Sequence, residues 1–162
     1  MVKFSFKSAN GNSFTKGLDD MLKKMKISNY TVDYGIPASR NKNDAALHLA
    51  VNVMGCPEKN IASADCLGEP VQEKKEEVAK EFKKEFNNNI ETNDFDEAVE
   101  MALNQTGFFV VEDCVKPSIL SNGNGKWREL LPNTVKRKKG SNQRYITTGE
   151  LFDCLGYEVK KK

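Results

Sequence analysis

The sequence is poor in the side chains that most often perform chemistry in proteins. It contains one histidine, one tryptophan and four cysteines among 162 residues. The cysteines, Cys56, Cys66, Cys114 and Cys154, are spaced too widely to form any CxxC pair. Together with His48 they lack the local ligand spacing of a zinc site, so we expect buried, reduced thiols that bind no metal.

Long apolar runs are also absent. No stretch of 18 apolar residues occurs, and residues 1–5 lack the apolar centre of a signal peptide. Hydrophobic residues make up 38% and charged residues 30% of the chain, which allows a modest core and argues against both a disordered and a membrane protein. We therefore expect a single domain over residues 1–162 that resides in a cytoplasm.

No catalytic constellation can be recognised. His48 stands alone in an apolar run without a paired nucleophile, which is typical of a core or interface residue. The Gly-rich segment 122–126 is followed by Trp127 rather than Ser or Thr, and it lacks the spacing of a phosphate-binding loop. The sequence therefore predicts no enzyme, no catalytic residue and no cofactor.

Charge is distributed unevenly along the chain. Residues 126–162 carry ten Lys or Arg against four Asp or Glu, a net charge of +6, whereas residues 1–125 carry fifteen against nineteen, a net charge of −4. Such polarity often marks an end that meets a charged partner. The candidate residues for a basic loop facing a partner or DNA are Lys136, Arg137, Lys138, Lys139 and Arg144.

Nucleic-acid binding by this basic loop is the alternative function. Clustered cations attract phosphates without further requirements, so the signal has little specificity. Only Trp127 and Tyr145 stand near enough to stack on bases. A solvated or protein-contacting loop is the interpretation that the composition favours.

Period-two alternation predicts three strands, and aromatic and β-branched composition predicts a fourth. These are Val2–Phe6, Asn29–Ile36, the aromatic and β-branched run Phe108–Val111, and Tyr157–Val159 near the end of the chain. We expect Pro117 to break whatever element follows the third of them.

Apolar residues at helical spacing predict two long helices and two shorter ones. The long ones are Val71–Asn87, started by Pro70, and a helix capped by Asp94 and ended by Gly107. The shorter ones are Phe14–Met25 and a turn that begins with Thr148 as its cap. Long helices packed on a small antiparallel sheet, with extended loops, make an α+β fold.

Two central segments are less regular. The pattern of Ala45–Met54 is helical in its first half and strand-like in its second, and the sequence alone does not choose between them. The stretch from Gly55 to Glu69 reads as a long irregular loop, and such loops often contact a neighbouring molecule. Its candidate subunit-contact residues are Gly55, Pro57, Ile61 and Leu67.

Several short motifs of the sequence follow one another in an order that is known from other proteins. Val32–Pro37 is similar to a strand ending in VGIP, and an apolar segment and Gly55–Pro57 follow it. Nearer the C-terminus, Leu131–Lys138 is similar to LSPxTxxRK, Thr147–Leu151 to xxTGxL, and Tyr157–Val159 to a final YxV strand. These phrases cover most of the chain, from about residue 29 to residue 159.

In these phrases the chain resembles the neck and tail-completion proteins of long-tailed bacteriophages. It departs from many of them at residues 60–67, which read NIASADCL where those proteins carry an IPARPF phrase. The resemblance implies a structural virion protein without catalysis, which assembles into a ring in the host cytoplasm and resides in the virion neck. The implied partners are sister subunits, the head-closure or connector proteins, the tail-terminator or tail-tube proteins, and DNA passing through the ring.

Overall fold

The computed structural model describes the backbone of residues 2–4 and, with side chains, residues 30–138, 142–143, 145 and 149–161. The predicted helix Phe14–Met25 lies outside these residues, as do Lys139, Arg144 and Thr148.

The described strands form one antiparallel sheet in the order β1-β2-β3. They are β1 (Val2–Phe4), β2 (Tyr30–Gly35) and β3 (Gly156–Lys161). On β2, Val32 pairs with Phe4 on one side and with Val159 on the other. Three of the four predicted strands are thereby confirmed, and β3 forms an edge of the sheet.

Helices supply the rest of the regular structure. In chain order they are α1 (Ala45–Met54), α2 (Gly68–Glu73), α3 (Lys75–Ile90), α4 (Phe95–Phe109), a π-helical segment (Val110–Val115), α5 (Lys116–Leu120), α6 (Pro132–Arg137) and α7 (Glu150–Cys154). Helices α3 and α4 pack on each other, and α4 also packs on β2 and β3. The predicted α+β class is confirmed, and the undecided segment Ala45–Met54 is a helix.

The start of α4 follows the prediction. Asp94 has extended backbone angles, and its Oδ1 accepts a hydrogen bond of 2.9 Å from the backbone N–H of Glu97. This bond satisfies one of the free amides of the first turn, and Asp96 and Glu97 add negative charge near the positive end of the helix dipole.

The predicted end of α4 at Gly107 and the predicted strand Phe108–Val111 are both wrong. The helix passes through Gly107 and continues through the π-helical segment into α5. Gly107 is required by packing, because a Cβ at this position would lie 2.7 Å from Cγ of Tyr157. Val110 and Val111 are both buried, and this burial outweighs the preference of their branched side chains for strands.

Pro117 lies inside this continuous helical run instead of breaking it. Because proline has no N–H, the carbonyl of Asp113, four residues earlier, loses its usual helical donor. The Nζ atom of Lys74 donates a hydrogen bond of 2.8 Å to that carbonyl. The widened π-helical turns precede the proline, a common arrangement where the regular helical ladder is interrupted.

The predicted helix Val71–Asn87 is divided in two and is longer than expected. It begins at Gly68 instead of Pro70 because the carboxylate of Asp65 accepts hydrogen bonds from the backbone N–H groups of Leu67, Gly68 and Glu69, at 3.0, 2.7 and 3.2 Å. It is interrupted at Lys74, whose ψ of 19° departs from helical geometry, and resumes to end at Ile90.

The core consists of two clusters joined by Tyr157. The smaller one packs Val32 of the sheet against Phe86 of α3 and against Ala98, Val99, Ala102 and Leu103 of α4. The larger one includes Tyr34, Leu49, Val71, Cys114, Ile119, Trp127, Tyr145 and Leu155. Helix α7, which docks on α1, begins after Gly149, which occupies the N-cap position at a φ of 88°.

Candidate assembly surface

The contact loop, residues 55–67, is held by its own hydrogen bonds. Cys56 and Ile61 exchange backbone hydrogen bonds of 2.8 and 2.9 Å across a short 3-10 helix that begins at Pro57. Gly55 opens the loop at a φ of 79°, and a Cβ there would lie 2.8 Å from the backbone nitrogen of Ser63. The loop is thus a compact hairpin-like turn that requires glycine at its start.

The four predicted contact residues lie at different depths. Pro57 is exposed, whereas Gly55 and Ile61 are half-buried. Leu67 is only 4% exposed, and its backbone carbonyl accepts a hydrogen bond from the hydroxyl of Tyr34. Leu67 therefore belongs to the core of the chain, and the prediction that it is a subunit-contact residue is wrong.

A stronger surface feature precedes this loop on α1. Leu47 is 61% exposed and Met54 is 72% exposed, and they lie seven residues, or about two full turns, apart with half-buried Val51 between them. We call Leu47, Val51 and Met54 the α1 ridge. Sequence analysis missed it, although the absence of any charged residue from Ala45 to Met54 was a signal that the helix has no solvated face.

His48 lies beside the α1 ridge and not in the core. His48 is exposed, and its backbone carbonyl accepts a hydrogen bond of 2.9 Å from the side-chain amide of Asn52. Of the two expectations for a lone histidine in an apolar run, the core position is wrong and the interface position stays a prediction.

The basic loop is only partly described. Lys136 and Arg137 are exposed at the C-terminal end of α6, where cations are favoured by the helix dipole. The Nζ of Lys138 donates a hydrogen bond to the backbone carbonyl of Gln143. Lys139 and Arg144 lie outside the described residues.

The two aromatic residues near the basic loop are not available to bases. Trp127 is 8% exposed and Tyr145 is 4% exposed, and their rings pack edge to face with centroids 5.3 Å apart. The hydroxyl of Tyr145 donates a hydrogen bond to the backbone carbonyl of Ala64. Because stacking on nucleobases requires an open ring face, these residues serve the core and not a nucleic-acid site.

The cysteines are placed as expected for structural thiols. Cys66, Cys114 and Cys154 are buried, Cys56 is half-buried, and all four are free. Burial raises the pKa of the Cys66 thiol to about 12 and that of the Cys114 thiol to about 11, so both stay protonated and weakly nucleophilic near neutral pH. Within the described residues, no group of three or more His, Cys, Asp or Glu is placed to hold a metal ion.

Comparisons with protein-family models, curated protein sequences and solved structures found no match to this chain. Among the helices of the described ranges, none combines the length and apolar character needed to cross a membrane.

Proposed function

We propose that this chain is a structural protein of the bacteriophage head–tail connector, where identical copies form a ring between the head-closure protein and the tail. The proposal places it in the virion neck, after assembly in the host cytoplasm. Its partners are sister subunits, the head-closure or connector proteins and the tail-terminator or tail-tube proteins, with DNA passing through the ring. The observation that supports it best is the α1 ridge.

The α1 ridge has the character of an assembly contact. Leu47 and Met54 place large apolar side chains in water on a helix without any charged residue, whereas an ordinary surface helix solvates its outer face. Exposed Pro57 and the ordered contact loop continue from the same helix end. Rigid, apolar and continuous surfaces are what a subunit interface requires, because little conformational freedom is lost when they associate.

The test is the mass of the purified protein in solution over a range of concentrations. The wild-type chain should form a ring, or associate increasingly as its concentration rises. The double substitution Leu47→Glu with Met54→Glu should remove this association, since it would bury two carboxylates in the contact. Gln72→Glu with Asn87→Glu adds the same charge at two exposed polar positions of α2 and α3, and this control should assemble like the wild type.

Nucleic-acid binding is the competing function, and the exposure of Lys136 and Arg137 favours it. The burial of Trp127 and Tyr145 counts against it. The mass measurement is therefore repeated with a short DNA duplex at low and moderate salt. A monomer that binds the duplex tightly, with affinity falling steeply as salt rises, would contradict the neck proposal. An assembly that is indifferent to DNA would support it.

A further inference from the structure

The turn that follows α5 contains the same dipeptide twice. The first pair is Asn122 and Gly123, the second is Asn124 and Gly125, and the φ angles of the four residues are 50°, 65°, 54° and 78°. All four therefore occupy the left-handed region, which asparagine and glycine adopt more readily than other residues. Because the dipeptide and its backbone region are the same in both pairs, any difference in their chemistry comes from their surroundings.

The first pair is held in place by the core. Gly123 is buried, and its backbone N–H donates a hydrogen bond of 2.7 Å to the carbonyl of Ser118. A Cβ at Gly123 would lie 2.8 Å from Cδ1 of Trp127, so the glycine packs directly against that ring. The side-chain amide of Asn122 donates a hydrogen bond of 3.3 Å to the carbonyl of Asn142. Rearrangement of this pair would therefore disturb buried contacts.

The second pair is open to solvent. Asn124 and Gly125 are exposed, and a Cβ at Gly125 would meet no atom within 4 Å beyond its chain neighbours. The backbone N–H of Gly125 donates a hydrogen bond of 3.1 Å to the carbonyl of exposed Ser121. The Ser121 hydroxyl lies 3.1 Å from Oδ1 of Asn124 and 3.2 Å from the Ser118 carbonyl, so its single hydrogen serves one acceptor or the other.

We propose that Asn124 is a site of spontaneous deamidation and that the fold protects Asn122 from the same reaction. The modification needs only water, and it proceeds without a metal, an oxidant or a second protein. It is independent of the proposed function, because it concerns the covalent structure of the single chain.

The reaction balances within the chain and the solvent. The backbone nitrogen of Gly125 attacks Cγ of Asn124 and loses its proton to water, while the bond from Cγ to Nδ2 breaks and the amide nitrogen leaves as ammonia. The product is a five-membered succinimide ring. One water molecule then adds to either ring carbonyl, which gives an aspartate or an isoaspartate at residue 124.

The surroundings of the two pairs decide which one reacts. Glycine leaves the following nitrogen unhindered in both, and the attacking and attacked atoms are adjacent in the chain, which replaces a bimolecular encounter. At the second pair the attack requires only that a surface turn opens and that Gly125 gives up a solvent-exposed hydrogen bond. At the first pair Gly123 would have to leave Trp127, and openings that expose the core are much rarer than those of surface turns.

Ser121 favours the reaction at the second pair. Negative charge develops on Oδ1 of Asn124 when the amide carbon is attacked, and the Ser121 hydroxyl is within hydrogen-bond distance of that oxygen. A donor placed at a developing oxyanion lowers the barrier to attack. We therefore assign Ser121 a positioning role that has no counterpart at the first pair.

The modification would change the charge and the course of the turn. A carboxylate at residue 124 lowers the formal net charge of the chain, now +2, by one unit. An isoaspartate also inserts an additional backbone atom into a left-handed turn whose next residues lead to buried Trp127. The chain would thus acquire a chemical record of its age at one exposed position.

The test follows both pairs in one sample during incubation of the purified protein at mildly alkaline pH. Tandem mass spectrometry locates the gain in mass that accompanies the replacement of the amide nitrogen by oxygen. In the folded chain, Asn124 should convert at least about tenfold faster than Asn122, which corresponds to a barrier difference of one factor of ten in rate. In concentrated guanidinium chloride the two rates should become similar, because the dipeptides are then equally exposed.

Three variants separate the chemistry from the fold. Asn124→Gln should abolish conversion at this position, since the longer side chain would have to close a larger ring, and should leave Asn122 unchanged. Ser121→Ala should slow conversion of Asn124 several-fold in the folded chain but not in denaturant. Ser63→Ala, a substitution at an exposed serine in another loop, is the control and should have no effect on either rate.

The other outcomes contradict the inference. Equal rates for the two pairs in the folded chain, or faster conversion of Asn122, would overturn it. Retention of both asparagines in the folded chain, with conversion of both in denaturant, would overturn it as well, because the turn would then protect the second pair. A Ser121→Ala variant that converts at the wild-type rate would overturn the role assigned to the hydroxyl.

Discussion

Helices α1 and α4 are both rich in apolar residues, but their surroundings differ. Leu103 of α4 is 3% exposed and packs with Val32 and Phe86, whereas Leu47 of α1 is 61% exposed. Helix α4 lies between α3 and the sheet, so the side that carries Leu103 is covered. Helix α1 buries Ala45 and Leu49 and docks on α7, whereas its Leu47 and Met54 are mostly exposed.

The difference shows what apolar composition does and does not determine. An apolar helix needs cover, because exposed hydrocarbon orders or displaces water at a free-energy cost. The cover can come from the same chain, as for α4, or from another molecule, as we propose for α1. Measurements that separate stability from association therefore test this comparison directly.

The largest expected effect comes from making one substitution on both helices. Leu103→Ala should lower the free energy of unfolding by about 3 kcal/mol, because it leaves a cavity in the core. Leu47→Ala should change it by less than about 0.5 kcal/mol, because the side chain is already mostly in water. Urea denaturation at protein concentrations low enough to keep the chain monomeric measures both values.

The same pair of variants should behave oppositely in association. Leu47→Ala should weaken assembly in the mass measurement, while Leu103→Ala should assemble normally wherever it remains folded. Equal losses of unfolding free energy in the two variants would show that α1 is covered within its own chain, and the comparison would no longer hold.

An intermediate effect is expected at Gly107, where α4 meets β3. Gly107→Ala should destabilise the fold by about 2 kcal/mol, because the added Cβ overlaps the ring of Tyr157. In a Tyr157→Ala background the same change should stabilise the helix by about 1 kcal/mol, since alanine favours helix over glycine. A double-mutant cycle in urea measures this coupling, and an absence of sign reversal would contradict the packing explanation.

The smallest effect is expected at Lys74, whose side chain donates a hydrogen bond to a backbone carbonyl of the long helical run. Lys74→Met removes the donor to the Asp113 carbonyl and should lower the free energy of unfolding by about 1 kcal/mol. Lys75→Met, at the neighbouring exposed position, is the control and should have almost no effect. If both variants lose the same free energy, the hydrogen bond to the Asp113 carbonyl does not stabilise the proline-containing helix.

Local signals in the sequence were sufficient for parts of this fold. Alternation located all three strands, and the Asp94 cap located the start of α4, because these features depend on residues close together in the chain. The course of the chain after Gly107 could not be predicted in this way. The reason for that glycine is Tyr157, fifty residues away, and the donor that accommodates Pro117 is Lys74, at the interruption between α2 and α3.

The candidate surface shows the same limit. The contact loop could be located from its irregular sequence, but the burial of Leu67 depends on Tyr34 and the rest of the larger cluster. The α1 ridge became visible only when the covered side of the helix was known. The exposure of Lys136 and Arg137 could be predicted from the sequence alone, because clustered charged side chains usually remain in contact with solvent.

The position of β3 has a consequence for how the chain folds as it is synthesised. This strand pairs with β2 from Tyr30–Lys161 to Gly35–Gly156, and its Tyr157 contacts both core clusters. Helices α3 and α4 leave the ribosome well before it, with the surface that receives β3 still uncovered. The native core can therefore close only after β3 has emerged, and until then the nascent helical hairpin exposes an apolar surface of the kind that favours aggregation.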